Sequence, residues 1–261
     1  MITPLKSIIV RAAAGAARSR GYELIPRWRL GVQPLAEHLR QVFDHYQIDC
    51  VFDVGGNLGQ FHDFVRNEVG FQGTIISFEP VQKYIDHLQA RAASDPKWFI
   101  EGCALGAEEK SDVINVTKSP GLNSFLPTNV SNLKDFWHED SISGRETVQI
   151  MRLDSVFDRL LAEHGFSRPY LKIDTQGFDM EVVRGAGNYL DRFYAMQTEA
   201  SVLPIYKGQP RYPEVISSLT QLGFDLSGMF AVAHDKQLRL VEFDCVMVRH
   251  RENGRSNAAC L

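Results

Sequence analysis

Short, continuously apolar runs alternate with amphipathic stretches along most of this chain. CVFDV (50–54), TIISFEP (74–80), KWFIEGCAL (97–105), DVINVT (112–117), TVQIMRL (147–153), YLKID (170–174) and YAMQTEA (194–200) read as strands. Apolar runs without alternation indicate strands buried on both faces, as in a parallel sheet. Residues 58–69 and 81–93 carry the three-to-four residue spacing of helices packed on such a sheet. Strand and helix in alternation predict a doubly wound open α/β sheet. Near the end, GFDLSGMF and LRLVEFDCVMVRH flank His234-Asp235-Lys236 and read as a terminal antiparallel hairpin. Residues 118–146 are polar, contain Gly and Pro, and lack a period. A long irregular insertion in a compact domain is usually functional, and this one is expected to form a partial lid over a ligand crevice.

Length and charge narrow the picture. A chain of 261 residues with 44% apolar content buries a sizeable core. No repeat or linker divides it, so one domain is expected over 46–250, with a helical extension over 1–45 and a tail over 251–261. A net charge of -4 argues against nucleic acid as a partner. Cys50, Cys103, Cys245 and Cys260 lie far apart, which suggests free thiols in a reducing cytoplasm rather than a disulfide framework. The first thirty residues are basic, with Lys6, Arg11, Arg18, Arg20, Arg27 and Arg29 against Glu23. They read as a helix packed on the domain, with peripheral contact to anionic lipid or a transit peptide as the rival readings.

The chemistry starts at VFDVGGNLGQF (51–61), where a buried strand runs into Gly55, Gly56 and Gly59. Asn57 stands where a dinucleotide fingerprint has its second glycine, and no phosphate-cradling GxxxxGK[ST] is present. A nucleoside without a pyrophosphate fits better, its amino-acid end against Gly55–Gly59 and its ammonium near Asp53. Glu79 closes the next strand, twenty positions after Gly59, where a carboxylate accepts ribose hydroxyl protons in doubly wound folds. Cys103-Ala104-Leu105 follows the third strand and offers small, apolar flanks for an adenine. In YLKIDTQGFD, Asp174 emerges at the carboxyl edge, and Lys172 points to the same side by the two-residue period of a strand. Asp179 and Glu181 then read as simple charge complements to a helix N-terminus.

These residues resemble the FkbM-type S-adenosylmethionine-dependent methyltransferases. The resemblance spans roughly 50–250 and rests on FDVGGNLGQF, SFEP, ALG, RLDSVF, LKIDTQGFD with VVRGA, QTEASVLPIYKGQP, LGFDL and EFDCVMVRH in that order. It implies a class I methyltransferase (Rossmann-like) fold, a seven-stranded sheet with an antiparallel strand near one edge. It further implies an O-methyltransferase acting on a sugar, a glycan or a polyketide-type product. By position, Asp53, Gly55, Asn57 and Gly59 would hold the methionine part of the cofactor, Glu79 the ribose, and Cys103 to Leu105 the adenine. Gln176 stands where many members have Glu, and Asp179 where Glu is common, which bears on contacts with the acceptor.

Methyl transfer to a hydroxyl needs alignment and a proton acceptor. Asp174 and Glu199 are the candidate bases, with Lys172 beside them. His138, Asn123 and Ser124 in the insertion, Gln176, and Tyr206 as a stacking platform are candidates for the acceptor. The [ND]PP[YF] sequence of enzymes that methylate base nitrogens is replaced here by Asp174-Thr175-Gln176-Gly177. Without an HExxH or a close His/Asp cluster, no metal is expected. The alternatives are an NAD(P)-dependent oxidoreductase, disfavoured by the missing GxGxxG, and a non-catalytic nucleoside-binding scaffold.

Overall fold

A computed structural model describes residues 16–17, 19–22, 24–129 and 142–249. Seven strands form the main sheet: β1 (Cys50–Val54), β2 (Thr74–Phe78), β3 (Trp98–Glu101), β7 (Pro169–Ile173), β8 (Ala195–Ser201), β9 (Phe224–His234) and β10 (Leu240–Arg249). Their order is β3-β2-β1-β7-β8-β10-β9. β10 runs antiparallel to both neighbours and the rest are parallel, as expected of the class I methyltransferase fold. The terminal hairpin expected around His234 is β9–β10, its turn held by Asp235 accepting the Gln237 and Arg239 N–H groups.

Helices cover both faces because adjacent residues of each strand bury in different cores. Cys50, Phe52 and Val54 enter one apolar cluster, shared with α4 (Leu153–His164), α5 (Asp179–Ala186) and α6 (Tyr212–Gln221). Val51, Ile75 and Tyr170 enter the other, shared with α1 (Gln33–Tyr46), the short α2 (Gln60–Phe64) with its π turn, and Leu88 of α3 (Gln82–Ala92). α1 sends Ala36, Leu39, Val42 and Phe43 into that core. The expected boundary at 45/46 therefore cuts a helix that belongs to the domain. Residues 1–15, 18 and 23, with Lys6, Arg11, Arg18 and Glu23 of the basic segment, lie outside the described residues. Among those described, no helix is long and apolar enough to cross a membrane.

Two expected strands are not in the main sheet. β5 (Lys110–Thr117) and β6 (Ile142–Met151) pair antiparallel, and β6 adds the two-residue β4 (Ala104–Leu105) on its other side. KWFIEGCAL is thus split between β3 in the large sheet and β4 in the small one. The reason is the period: Val148 and Ile150 are buried while Thr147 and Gln149 are not, the alternation of a sheet with one wet face. Ile114 and Val148 pack there on Val81 and Tyr84. The insertion between β5 and β6 is not aperiodic where it is described. Ser124 bridges to Asn115 and Thr128 to Tyr206, so 123–129 forms a strap from the small sheet to the loop after β8.

One polar row crosses the core. Ser77, Asp53 and Lys172 are register partners on β2, β1 and β7. Asp53 is fully buried, with Lys172 Nζ 2.9 Å from Oδ1 and Ser77 Oγ donating to Oδ2 at 2.9 Å. Removing one partner of a buried pair strands the other charge and costs about 3–5 kcal/mol. Lys172→Met is expected to lose stability of that order in urea unfolding, and Asp53→Asn in the Lys172→Met background to recover part of it. A loss below about 1 kcal/mol for the single variant would contradict the pairing.

Candidate active site

The next row of the same register builds the site. Val54 pairs with Phe78 and Ile173, and Ile173 with Thr198, so Gly55, Glu79, Asp174 and Glu199 leave four neighbouring strands side by side. Strand order reverses between β2–β1 and β7–β8, the switch point at which open α/β sheets bind ligands. β1 and β7 approach so closely that a Cβ on Gly55 would overlap the Asp174 carbonyl. Gly55 also has φ of 88°, which only glycine adopts without strain.

The crevice above this row holds about 590 Å³ of empty space, counting the open solvent at its mouth. Gly55, Asn57, Glu79, Ala104, Leu105 and Asp174 of the expected residues line it, with Asn123 and Gln176 at the strap side. Glu79 is buried and already oriented. Its Oε1 accepts the Val81 N–H at 2.9 Å and its Oε2 the Asn57 N–H at 2.8 Å. Burial pushes its carboxyl up to about 7 despite those two donors. Asn57 takes a left-handed φ of 47°, and its side-chain oxygen is buried without a hydrogen-bond partner. An orphaned acceptor on the wall of a crevice is unusual in a finished core and suits a donor such as an ammonium. Donor set and orphan together fit an aminoacyl nucleoside.

Several expected residues have other duties. Asp53 is engaged by Lys172 and Ser77 beneath the floor and does not face the crevice. Lys172 is buried as well, donating to Asp53 and, at 3.3 Å, to the Gly55 carbonyl, with Asp174 Oδ2 at 3.6 Å. Burial works against its charge, but Asp53, Asp174 and Glu199 outweigh that and raise its pKa, so it stays a cation and accepts no proton. Gly59 turns away from the crevice, where a Cβ would meet Arg91 and Trp98. Cys103 packs in the core, its thiol pushed up to about 12 chiefly by burial. Asp179 accepts the Thr175 N–H and hydroxyl at 2.9 and 2.8 Å, a local turn lock in keeping with the structural role expected of it.

On the strap side, Asn123 lines the crevice with its oxygen holding the Thr117 N–H at 2.9 Å. Ser124 is buried, and its hydroxyl donates to the Gln176 carbonyl at 2.7 Å, which fastens the strap instead of meeting an acceptor. Tyr206 is buried at 2% exposure and offers no stacking face. Glu199 lies behind Gln176, whose amide nitrogen sits 3.2 Å from it, and does not line the crevice. Its carboxyl is raised well above the usual range by burial, with Asp174, Glu242, Asp244 and Asp179 adding to it. His138 lies outside the described residues. Among those described, no group of three or more His, Cys, Asp or Glu is arranged to hold a metal ion.

Sequence reasoning missed Phe78, Pro80, Ile114 and Phe125, which also line the crevice. Phe78 and Pro80 flank Glu79 and were open to inference from that adjacency. Ile114 and Phe125 come from the small sheet and the strap, which no local signal connects to the site.

A methyltransferase sheet with a nucleoside-shaped crevice at its switch point defines the class. The model of the methyltransferase FkbM domain matches residues 53–226, two thirds of the chain, and the chain belongs to that family of S-adenosylmethionine-dependent methyltransferases. No curated protein sequence matches. Among solved structures, the chain is similar to Aeropyrum pernix fibrillarin with natively bound S-adenosyl-L-methionine, at 14% identity and TM-score 0.44, covering 77% of this chain and 66% of that one. It is similar also to magnesium protoporphyrin IX methyltransferase from Synechocystis PCC 6803 with bound SAM, at 10% identity and TM-score 0.45, covering 85% and 81%. The bifunctional kinase-methyltransferase WbdD is a third, at 17% identity and TM-score 0.46, covering 83% of this chain and 39% of that one.

Ribose hydroxyls donate best to an ionised carboxylate, so binding draws the Glu79 pKa down and releases a proton. S-adenosylmethionine affinity is therefore expected to rise between about pH 6 and pH 8, around the value of about 7. Glu79→Gln should bind about tenfold more weakly, with a flatter pH dependence. Calorimetry in two buffers of different ionisation enthalpy reads both effects, and pH-independent wild-type affinity would remove Glu79 from the ribose.

Proposed function

We propose that the protein transfers the methyl group of S-adenosylmethionine to a hydroxyl of a sugar, a glycan or a polyketide-type product. Asp174 supports this reading most directly. It ends β7 at the crevice with its side chain one-third exposed (33%), beside the expected position of the transferring methyl. The bound cofactor supplies an electrophilic methyl on a sulfonium. Glu79 would hold the ribose, Ala104 and Leu105 the adenine, and Gly55 and Asn57 the amino-acid end.

The acceptor hydroxyl would approach on the side of the crevice where Asp174 stands and would exchange its proton for the methyl that the cofactor supplies, the cofactor leaving as a neutral thioether. The hydroxyl proton leaves to a carboxylate, for which Asp174 is the group at the crevice surface. Lys172, permanently charged below the floor, holds that carboxylate and the Gly55 carbonyl in position. Alignment of oxygen, carbon and sulfur contributes the larger share, up to about 7–11 kcal/mol in favourable systems. Proton acceptance adds typically about 10²–10⁴-fold. Residues Asp174 to Gly177 lack the paired prolines of base-nitrogen methylation, which favours oxygen as the acceptor atom.

Methyl-labelled S-adenosylmethionine offered with neutral glycosides, nucleotide sugars and macrolide-type alcohols tests the acceptor class. Label on an ether oxygen is expected, and label found only on nitrogen would overturn the reading. With the acceptor that takes label, Asp174→Asn is expected to slow single-turnover transfer by about 10²-fold or more. Its effect on cofactor affinity should stay within about tenfold. The amide preserves the shape of the side chain, so a near wild-type rate would leave Asp174 as a turn residue and overturn its role as proton acceptor.

A further inference from the structure

Gln176 occupies the turn after β7 with a left-handed φ of 53°. Its backbone is pinned by Ser124, whose hydroxyl donates to the Gln176 carbonyl. Its side chain joins three groups that sequence analysis treated separately. Nε2 donates to Asp174 Oδ1 at 2.8 Å and to Glu199 Oε2 at 3.2 Å, while Oε1 accepts the Tyr206 hydroxyl at 2.8 Å. A planar amide has two faces of opposite polarity. Flipped, it would set its oxygen against two carboxylates and its N–H groups against a hydroxyl that is donating. The Tyr206 hydroxyl also lies 3.2 Å from the Leu122 carbonyl, so the two carboxylates set which way the amide faces and Tyr206 fastens its oxygen end. Tyr206 is held for that bond by a small apolar cluster with Leu122, Ile205 and Val241.

We infer that Tyr206 and Gln176 form a positioning pair: the tyrosine hydroxyl holds the oxygen end of the amide so that Nε2 stays on Asp174 and Glu199 and the Asp174 carboxylate faces the crevice. This deepens the methyltransferase reading and rests on it. Hydrogen bonds donated to a carboxylate favour its charged form, and a neighbouring carboxylate without a donor between them disfavours it. The charged groups around the pair are Lys172 on β7, Asp53 on β1, Asp179 on α5, and Glu242 and Asp244 on β10. Glu242 accepts from Gln209 and Asp244 from Gln197, so both have their own donors. Gln176 is the corresponding donor for the Asp174–Glu199 pair.

The readout needs no acceptor. S-adenosylmethionine carries the sulfonium and S-adenosylhomocysteine does not, yet both present the same ribose to Glu79. The ratio of their dissociation constants therefore cancels Glu79 and reports negative charge near the sulfur. Calorimetry of both ligands at one pH on wild type, Tyr206→Phe and Gln176→Leu is the experiment. The wild type should favour the sulfonium. In Tyr206→Phe the preference should fall about fivefold. Gln176→Leu should reduce it further. Tyr206→Phe keeps the ring in its cluster, and a melting temperature near wild type verifies the fold. An unchanged ratio in Tyr206→Phe would overturn the pair, as would equal weakening of both ligands, which marks a purely structural role. Failure of the wild type to bind either ligand would instead overturn the cofactor reading, and this inference with it.

Discussion

Asp53 and Lys172 face each other across β1 and β7 in the dry centre of the sheet, with Ser77 on the far side of the carboxylate. A one-residue slip of either strand would separate these charges and turn every side chain to the opposite face. The pair therefore fixes the register of the three central strands. That register decides what stands two residues on, at the carboxyl edge. Glycine, glutamate, aspartate and a second glutamate follow as Gly55, Glu79, Asp174 and Glu199, contributed by four strands. Lys172 also touches the Gly55 carbonyl and stands near Asp174, so the pair that sets the register also steadies the floor.

The three carboxylates in that edge row are made different by what they touch. Glu79 accepts two backbone N–H groups and lies against apolar walls, which suits an acceptor of neutral hydroxyls. Asp174 is the more open, accepting from Gln176 with the Lys172 ammonium 3.6 Å away. Glu199 is enclosed by other acids and is the one most strongly driven toward its neutral form. The same side-chain chemistry is thus set in three different environments, sorted by burial and donors.

The sheet was legible because burial on both faces leaves continuous apolar runs, and β1, β2, β7 and β8 fall where those runs do. Glu79 and Asp174 were legible for the same reason, as the first polar residues past a buried strand. β5 and β6 were misplaced because DVINVT and TVQIM are short enough for alternating and continuous patterns to blur. The roles of Asp53, Ser124 and Tyr206 were not legible. A local pattern identifies which residues are polar. It does not reveal that a lysine over a hundred positions away occupies the first, or that the other two meet at Gln176. Such partners arise from topology, and a single sequence carries no local trace of it.

The account claims that one edge row, set by one register, receives the cofactor. A crystal structure with S-adenosylhomocysteine is the most direct test. The predicted complex has both ribose hydroxyls on the Glu79 carboxylate, the adenine beside Ala104 and Leu105, the amino-acid end at Gly55 and Asn57, and the sulfur directed toward Asp174. A ligand seated elsewhere, or one whose ribose lies on another residue while Glu79 keeps only its two backbone donors, would contradict it.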